Sequence, residues 1–183
     1  MAQGSDHPPA CLDGDRGLSR VPTTLWTRAL RRRYTSRMNE IGLAEHVLGT
    51  SDWSEFKAAN GNGEPVRIAT AALLAAESGE AARAAYWRIE NHAVVQGELF
   101  DVSEVCASAL VAALADPRPY WVRIALLELL FQFLAGHPKD MRQRCERAVR
   151  EGLWLLRREA LLGEREAALD VLEQLGEAGE REA

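Results

Sequence analysis

The stretch Leu110-Val111-Ala112-Ala113-Leu114-Ala115-Asp116-Pro117-Arg118-Pro119-Tyr120-Trp121-Val122-Arg123-Ile124-Ala125-Leu126-Leu127-Glu128-Leu129-Leu130 decides how this chain is organised. Alanine and leucine carry an apolar helix as far as Asp116. Pro117 has no N–H to continue that helix, and it biases the residue before it away from helical backbone. A second apolar segment opens at Trp121 and runs beyond Leu130. Two apolar helices joined by so short a corner are neighbours that bury their faces against each other.

Working outward, the same punctuation recurs. It predicts helices at 64–77, 80–96, 101–115, 118–135, 138–161 and 164–176, and no segment alternates with period two for long enough to be a strand. Pro65 stands in a first turn, where its missing N–H is harmless. Ser78-Gly79 and Gly97 stop helices, Asp101 and Ser103 supply caps, and Gly136-His137-Pro138 and Gly163 mark the later boundaries. Asn60-Gly61-Asn62-Gly63 is a turn that separates a less regular N-terminal third. Residues 1–20, rich in Gly, Pro, Asp and Ser, read as a flexible tail. A helix is expected over 25–37 and short helices over 40–59, with Ser51-Asp52 as a cap before Trp53 and Phe56. Leu25, Leu30, Ile41, Leu43, Val47 and Leu48 favour docking of this region as a cap on the rest, since exposed they would invite aggregation.

The corner and the helix after it resemble the HEAT repeat, whose turn and second helix carry an Asp and an Arg that Asp116 and Arg123 match, beside Pro117. The resemblance implies an all-α fold, an α-α superhelix of stacked antiparallel helix pairs, in which Asp116 and Arg123 tie the turn. Weaker echoes run from Leu73-Leu74 through Ala82-Arg83 and from Leu161-Leu162 through Arg165-Glu166, at a spacing of about 40 residues. The implied organisation is a tail at 1–20, capping helices at 21–60 and a repeat region at 64–178 forming one globular domain with the cap. A competing period exists: Trp53, Trp87 and Trp121 lie 34 apart and Trp154 follows 33 later. That spacing is similar to the tetratricopeptide repeat, but the Trp-x2-Leu-Gly-x2-Tyr pattern of that family is missing.

Composition narrows the function classes. Apolar residues make up 47% of the 183, enough for a packed core. The net charge of −5 does not advertise a nucleic-acid footprint, which normally shows as a basic surface. Three cysteines, Cys11, Cys106 and Cys145, lack disulfide or metal spacing, and Cys106 and Cys145 fall in apolar helical patterns as core residues. No signal-peptide pattern opens the chain and no apolar run spans a bilayer. The longest, Ile124 to Leu134, is interrupted by Glu128 and Gln132. A cytoplasmic protein without membrane contact is the expectation.

The four histidines are isolated, and neither a nucleophile elbow nor a phosphate-binding loop occurs. No catalytic residue, metal site or cofactor is therefore assigned. His92 and Glu98 stand six apart across an expected helix end, which is weak ground for an acid–base pair.

The least generic stretch is Ala84 to Phe100. At helical spacing Ala82, Ala85, Tyr86, Ile89 and Ala93 form a core stripe. Arg83, Trp87, Asn91 and Val94 share an adjacent face with Glu90 nearby, a mixture common at protein interfaces. This stretch resembles one in bacterial HEAT-like proteins of unknown function, some of them thought to be immunity proteins encoded beside toxins. The resemblance implies a non-catalytic immunity or scaffold protein that occludes a protein partner, and an acidic chain suits a basic partner such as a toxin. The alternative is a nucleic-acid binder similar to HEAT-like DNA repair glycosylases. It would use Arg28, Arg31, Arg32, Arg33 and Arg37, interleaved with Trp26 and Tyr34, or the arginines between Arg142 and Arg158, which alternate with Glu146, Glu151 and Glu159.

Overall fold

A computed structural model describes residues 42–177. The chain divides into two units, Met1–Arg37 and Met38–Ala183, and the described residues all belong to the second. The expected tail, the helix over 25–37 with its arginines, Cys11, the first part of the expected cap and residue 178 lie outside the described residues.

Eight helices account for most of the described residues, so the all-α class holds. They are α1 (Leu43–Thr50), α2 (Glu64–Leu74), α3 (Gly79–Ala93), α4 (Val102–Ala113), α5 (Tyr120–Ala135), α6 (Lys139–Arg150), α7 (Leu153–Leu162) and α8 (Arg165–Gln174). Two antiparallel hairpins of two-residue strands interrupt them, β1 (Lys57–Ala58) with β2 (Gly61–Asn62) and β3 (Val94–Val95) with β4 (Glu98–Leu99). No strand was expected from the sequence, because a two-residue strand is too short to show a period.

Several boundaries follow from their residues. Ser78 caps α3 by accepting from Ala81 N at 3.2 Å, and Asp52 caps the 3-10 turn Trp53–Glu55 by accepting from Ser54 N at 3.1 Å. Asn62 Oδ1 accepts from Glu64 N at 3.2 Å as α2 begins. The expected helix 80–96 stops instead at Ala93. Gln96 (φ 52°) and Gly97 (φ 83°) are both left-handed, the backbone of a two-residue hairpin turn whose twist matches its strands. The hairpin is sewn to the α5–α6 corner, with His137 N donating to Gly97 O at 2.8 Å and Leu99 N to His137 O at 2.6 Å.

The expected helix 138–161 is two helices. Gly152 breaks it where the chain passes so close to α4 that a Cβ there would lie 2.5 Å from Val111 Cγ1. A glycine inside a helical pattern gives no sign of such a long-range approach.

α4 is buried almost all round and stands at the centre, packed on α1 and α6. α2 packs on α3, α5 touches α3, α4, α6 and α8, and α7 packs on α8. Trp53 and Ala58 join the same core as Leu126, Leu130 and Phe133, so residues 42–60 are integral to this unit.

The Asp-Pro corner is where the sequence put it, between α4 and α5, but its side chains are tied differently. Asp116 does not meet Arg123; it accepts from Arg118 Nη2 at 3.3 Å. Arg118 also donates to Leu74 O at 3.1 Å and to Glu45 at 2.7 Å, and Trp121 Nε1 donates to Ala76 O at 3.1 Å. The corner therefore caps the open carbonyls at the end of α2. Arg123, facing α7, pairs instead with Glu159. Arg123 stands in the first turn of α5, after the non-helical Pro117–Pro119, and the helix turns its side chain towards α7 rather than back to the corner.

Candidate functional site

The face of α3 turned to the core is the stripe the sequence marked: Ala82, Ala85, Tyr86, Ile89 and Ala93 are buried. Helical spacing then sets Arg83 and Trp87 at the edge of this stripe, one turn apart. They form one wall of an open groove of about 670 Å³. α5 supplies the facing wall through Tyr120, Ile124, Glu128 and Gln132, each one turn after the last, and Ala167 and Asp170 of α8 close the third side.

Trp87 is 47% exposed, Tyr120 62% and Phe131 36%, and all three line this one groove, where clustered apolar exposure is informative in a way that single exposed residues are not. Tyr86 meets Trp87 edge-on with ring centres 5.3 Å apart, and Tyr120 meets Trp121 similarly at 5.2 Å. Gln132 Nε2 donates to the Tyr86 hydroxyl, which spans the groove floor. Trp121 is held by its bond to Ala76 O, so that part of the wall is fixed before anything binds. Burial raises the Tyr86 phenol above its ordinary range, and the charges of Glu90 and Glu128 add to the rise. Of these two carboxylates, Glu128 lines the α5 wall and Glu90 lies on α3 outside the lining. Arg83 forms no ion pair among the described residues.

Of the residues singled out in the sequence, Arg83 and Trp87 line the groove, and Glu90 is half-buried one turn beyond Trp87. Asn91 is exposed on α3 without lining it. Val94 is 1% exposed and cannot meet a partner: the helix has ended, and the strand turns this side chain into the core. Asp116, Pro117 and Arg123 lie outside the groove, and Asp116 and Arg123 take separate partners instead of tying one turn together.

Sequence reasoning missed the α5 wall. Its signal was Glu128 and Gln132, four residues apart in the longest apolar run. Extended backwards by the same step they give Ile124 and Tyr120, the whole strip.

The groove offers aromatic faces, a guanidinium, carboxylates and a carboxamide, but among the described residues no histidine, serine or cysteine lines it. His92 Nδ1 lies 2.9 Å from Arg88 O, its own helix, and makes no bond to Glu98. Among the described residues, no three His, Cys, Asp or Glu side chains cluster to hold a metal, and no helix is long and apolar enough to cross a membrane. The later arginines are largely engaged. Arg144 pairs with Asp101 and Glu104, Arg150 with Glu146 and Glu177, and Arg157 with Glu177, while Arg158 donates to Leu114 O.

Comparison with protein-family models, curated proteins and solved structures finds no match. The geometry of the groove is what speaks to function.

Proposed function

We propose that this protein is a non-catalytic binding module that receives part of a partner protein in the α3–α5–α8 groove and acts by covering the partner's working face, as an immunity or scaffold protein does. The observation that carries this reading is three exposed aromatic side chains, Trp87, Tyr120 and Phe131, around one groove. Aromatic anchors set in a concave surface are the usual source of binding energy in protein interfaces. A HEAT-like α-α superhelix is the finer fold we favour. Its support is that α2, α4 and α6 touch in succession, as do α3 and α5, though α8 lies directly on α5. A cytoplasmic setting suits the unpaired, buried Cys106 and Cys145.

The test compares tagged wild-type protein with Trp87→Ala and Tyr120→Ala in pull-downs from the source organism, followed by direct binding of any protein retained. Each substitution is expected to weaken a bona fide partner at least about tenfold, a typical loss for an aromatic anchor. A purified partner that binds both variants as tightly as wild type places its site elsewhere and overturns the assignment.

A further inference from the structure

Resting on that reading, we infer that the groove takes one face of an amphipathic helix of the partner protein, whose apolar side chains meet the aromatic ends while a glutamine or asparagine carboxamide bridges Arg83 and Glu128.

Two contacts fix how the long walls face each other. A Cβ at Gly79, where α3 begins, would lie 3.8 Å from Trp121 Cβ at the start of α5, and further along both helices Gln132 Nε2 donates to the Tyr86 hydroxyl. α3 and α5 therefore run side by side in the same sense. Between these two contacts, Arg83 is the charge that lines the α3 wall and Glu128 the charge that lines the α5 wall. Both are exposed, and neither has an ion-pair partner among the described residues. Asp170, on the third side, is already engaged. The groove thus holds a cation and an anion on opposite walls with no ion pair closed between them.

Aromatic side chains set the length. Tyr120 and Trp121 mark one end, Trp87 and Phe131 the other, and from Tyr120 to Phe131 the helix rises about 16 Å. On α5 the groove-lining residues Tyr120, Ile124, Glu128 and Gln132 follow at four-residue steps, and Gly79, Arg83 and Trp87 do the same on α3. Ridges of this spacing seat the side chains of another helix between them. An apolar side chain laid over Arg83 and Glu128 takes water from both and returns no hydrogen bond. A charged one pairs with one wall and opposes the other. A carboxamide oxygen accepts from the guanidinium while its NH2 donates to the carboxylate, so one neutral group satisfies both walls.

Three fluorescein-labelled peptides of about 16 residues, long enough to form a helix on docking, provide the probes. Each carries leucine at its third and fourteenth positions, matching the aromatic ends, and one residue type at the seventh and tenth. That residue is glutamine, lysine or glutamate, and either placement meets the charges whichever way the peptide runs. Fluorescence anisotropy against the full chain in about 0.15 M salt, where long-range attraction to a chain of net charge −5 is screened, is expected to favour glutamine at least about threefold over both others. Arg83→Gln should turn the preference to lysine and Glu128→Gln to glutamate, each by about three- to tenfold relative to the opposite charge. Trp87→Ala should weaken all three, with a circular-dichroism melt confirming that each variant folds.

A wild-type preference for either charged peptide, or preferences that Arg83→Gln and Glu128→Gln leave unmoved while Trp87→Ala abolishes binding, overturns the inference and leaves the groove as a docking site. A chain that sediments as a dimer, and as a monomer with Trp87→Ala, fills the groove with a second copy and also overturns it. Binding of all three peptides weaker than about 1 mM, or indifferent to Trp87→Ala, overturns the reading of the groove and the inference with it.

Discussion

Glu159→Ala is expected to cost this protein about 3 kcal/mol of stability, the lower end of the range for breaking a buried ion pair. Glu159 sits on α7 with 1% of its surface exposed. Its Oε1 accepts from Arg123 Nε at 2.8 Å, from Arg123 Nη2, and from Glu164 N at 2.9 Å, where α8 begins. One carboxylate thus joins α5, α7 and the first turn of α8. Its removal leaves a guanidinium without a partner, but the Arg123 side chain is 23% exposed and water can reach it, which places the loss at the lower end. Arg123→Ala is expected to cost more, about 4–5 kcal/mol. It strands a carboxylate whose Oε2 already lacks a hydrogen bond and which would keep only the Glu164 N–H. Gly163→Ala should reproduce part of the loss, because a Cβ there runs into both charged groups. Urea unfolding followed by circular dichroism measures each variant and the Arg123→Ala/Glu159→Ala double. In a domain of this size the Glu159→Ala melting midpoint should fall by about 10 °C. A loss below about 1 kcal/mol for Glu159→Ala, or single losses that add up in the double variant, would refute the reasoning, since a true pair must couple.

Burial pushes the Cys106 and Cys145 thiols up to about 12, so in a Cys11→Ser background Ellman's reagent should find no reactive thiol in native protein at pH 8, and two once it is unfolded. Gly97→Ala should destabilise by about 1–2 kcal/mol, since its φ of 83° is left-handed, and chemical denaturation against Gln96→Gly, expected to be neutral or stabilising, separates backbone strain from lost contacts. Burial tends to raise the Glu45 carboxyl, but the hydrogen bond and charge of Arg118 hold it below the ordinary carboxylate range. Its contribution is thus complete above the unfolded value of about 4.3 and lost as pH falls through the folded one, so the melting difference between wild type and Glu45→Gln should be constant at neutral pH, start to shrink below about pH 4.3 and vanish only below the lowered folded value.

Local chemistry was legible and long-range juxtaposition was not. Ser78, Pro65 and the Asp116-Pro117 corner mark boundaries because capping and proline geometry act within a few residues. The α3 core stripe could be drawn because 3.6-residue periodicity survives in Ala82, Ala85, Tyr86, Ile89 and Ala93. That same periodicity misled at Val94, since the wheel was continued past a helix end that depends on the left-handed backbone at Gln96 and Gly97. Half of the groove was visible as Arg83 and Trp87. The other half depends on which helix lies beside α3, and no spacing within α3 or α5 records that. Asp116 and Arg123 matched a family pattern in identity, yet Arg118 and Glu159, which that pattern does not mention, are their partners.

The corner between α4 and α5 does more than turn the chain. Arg118 and Trp121 hold carbonyls 44 and 45 residues earlier, at the end of α2, and Arg118 reaches α1 through Glu45. Trp121 is at once a wall of the groove and a clamp on that end. An occupant that steadies Trp121 therefore steadies the α1–α2 region without touching it, by thermodynamic linkage. Amide protection after Leu74 would rise with occupancy, a reporter set apart from the face that binds.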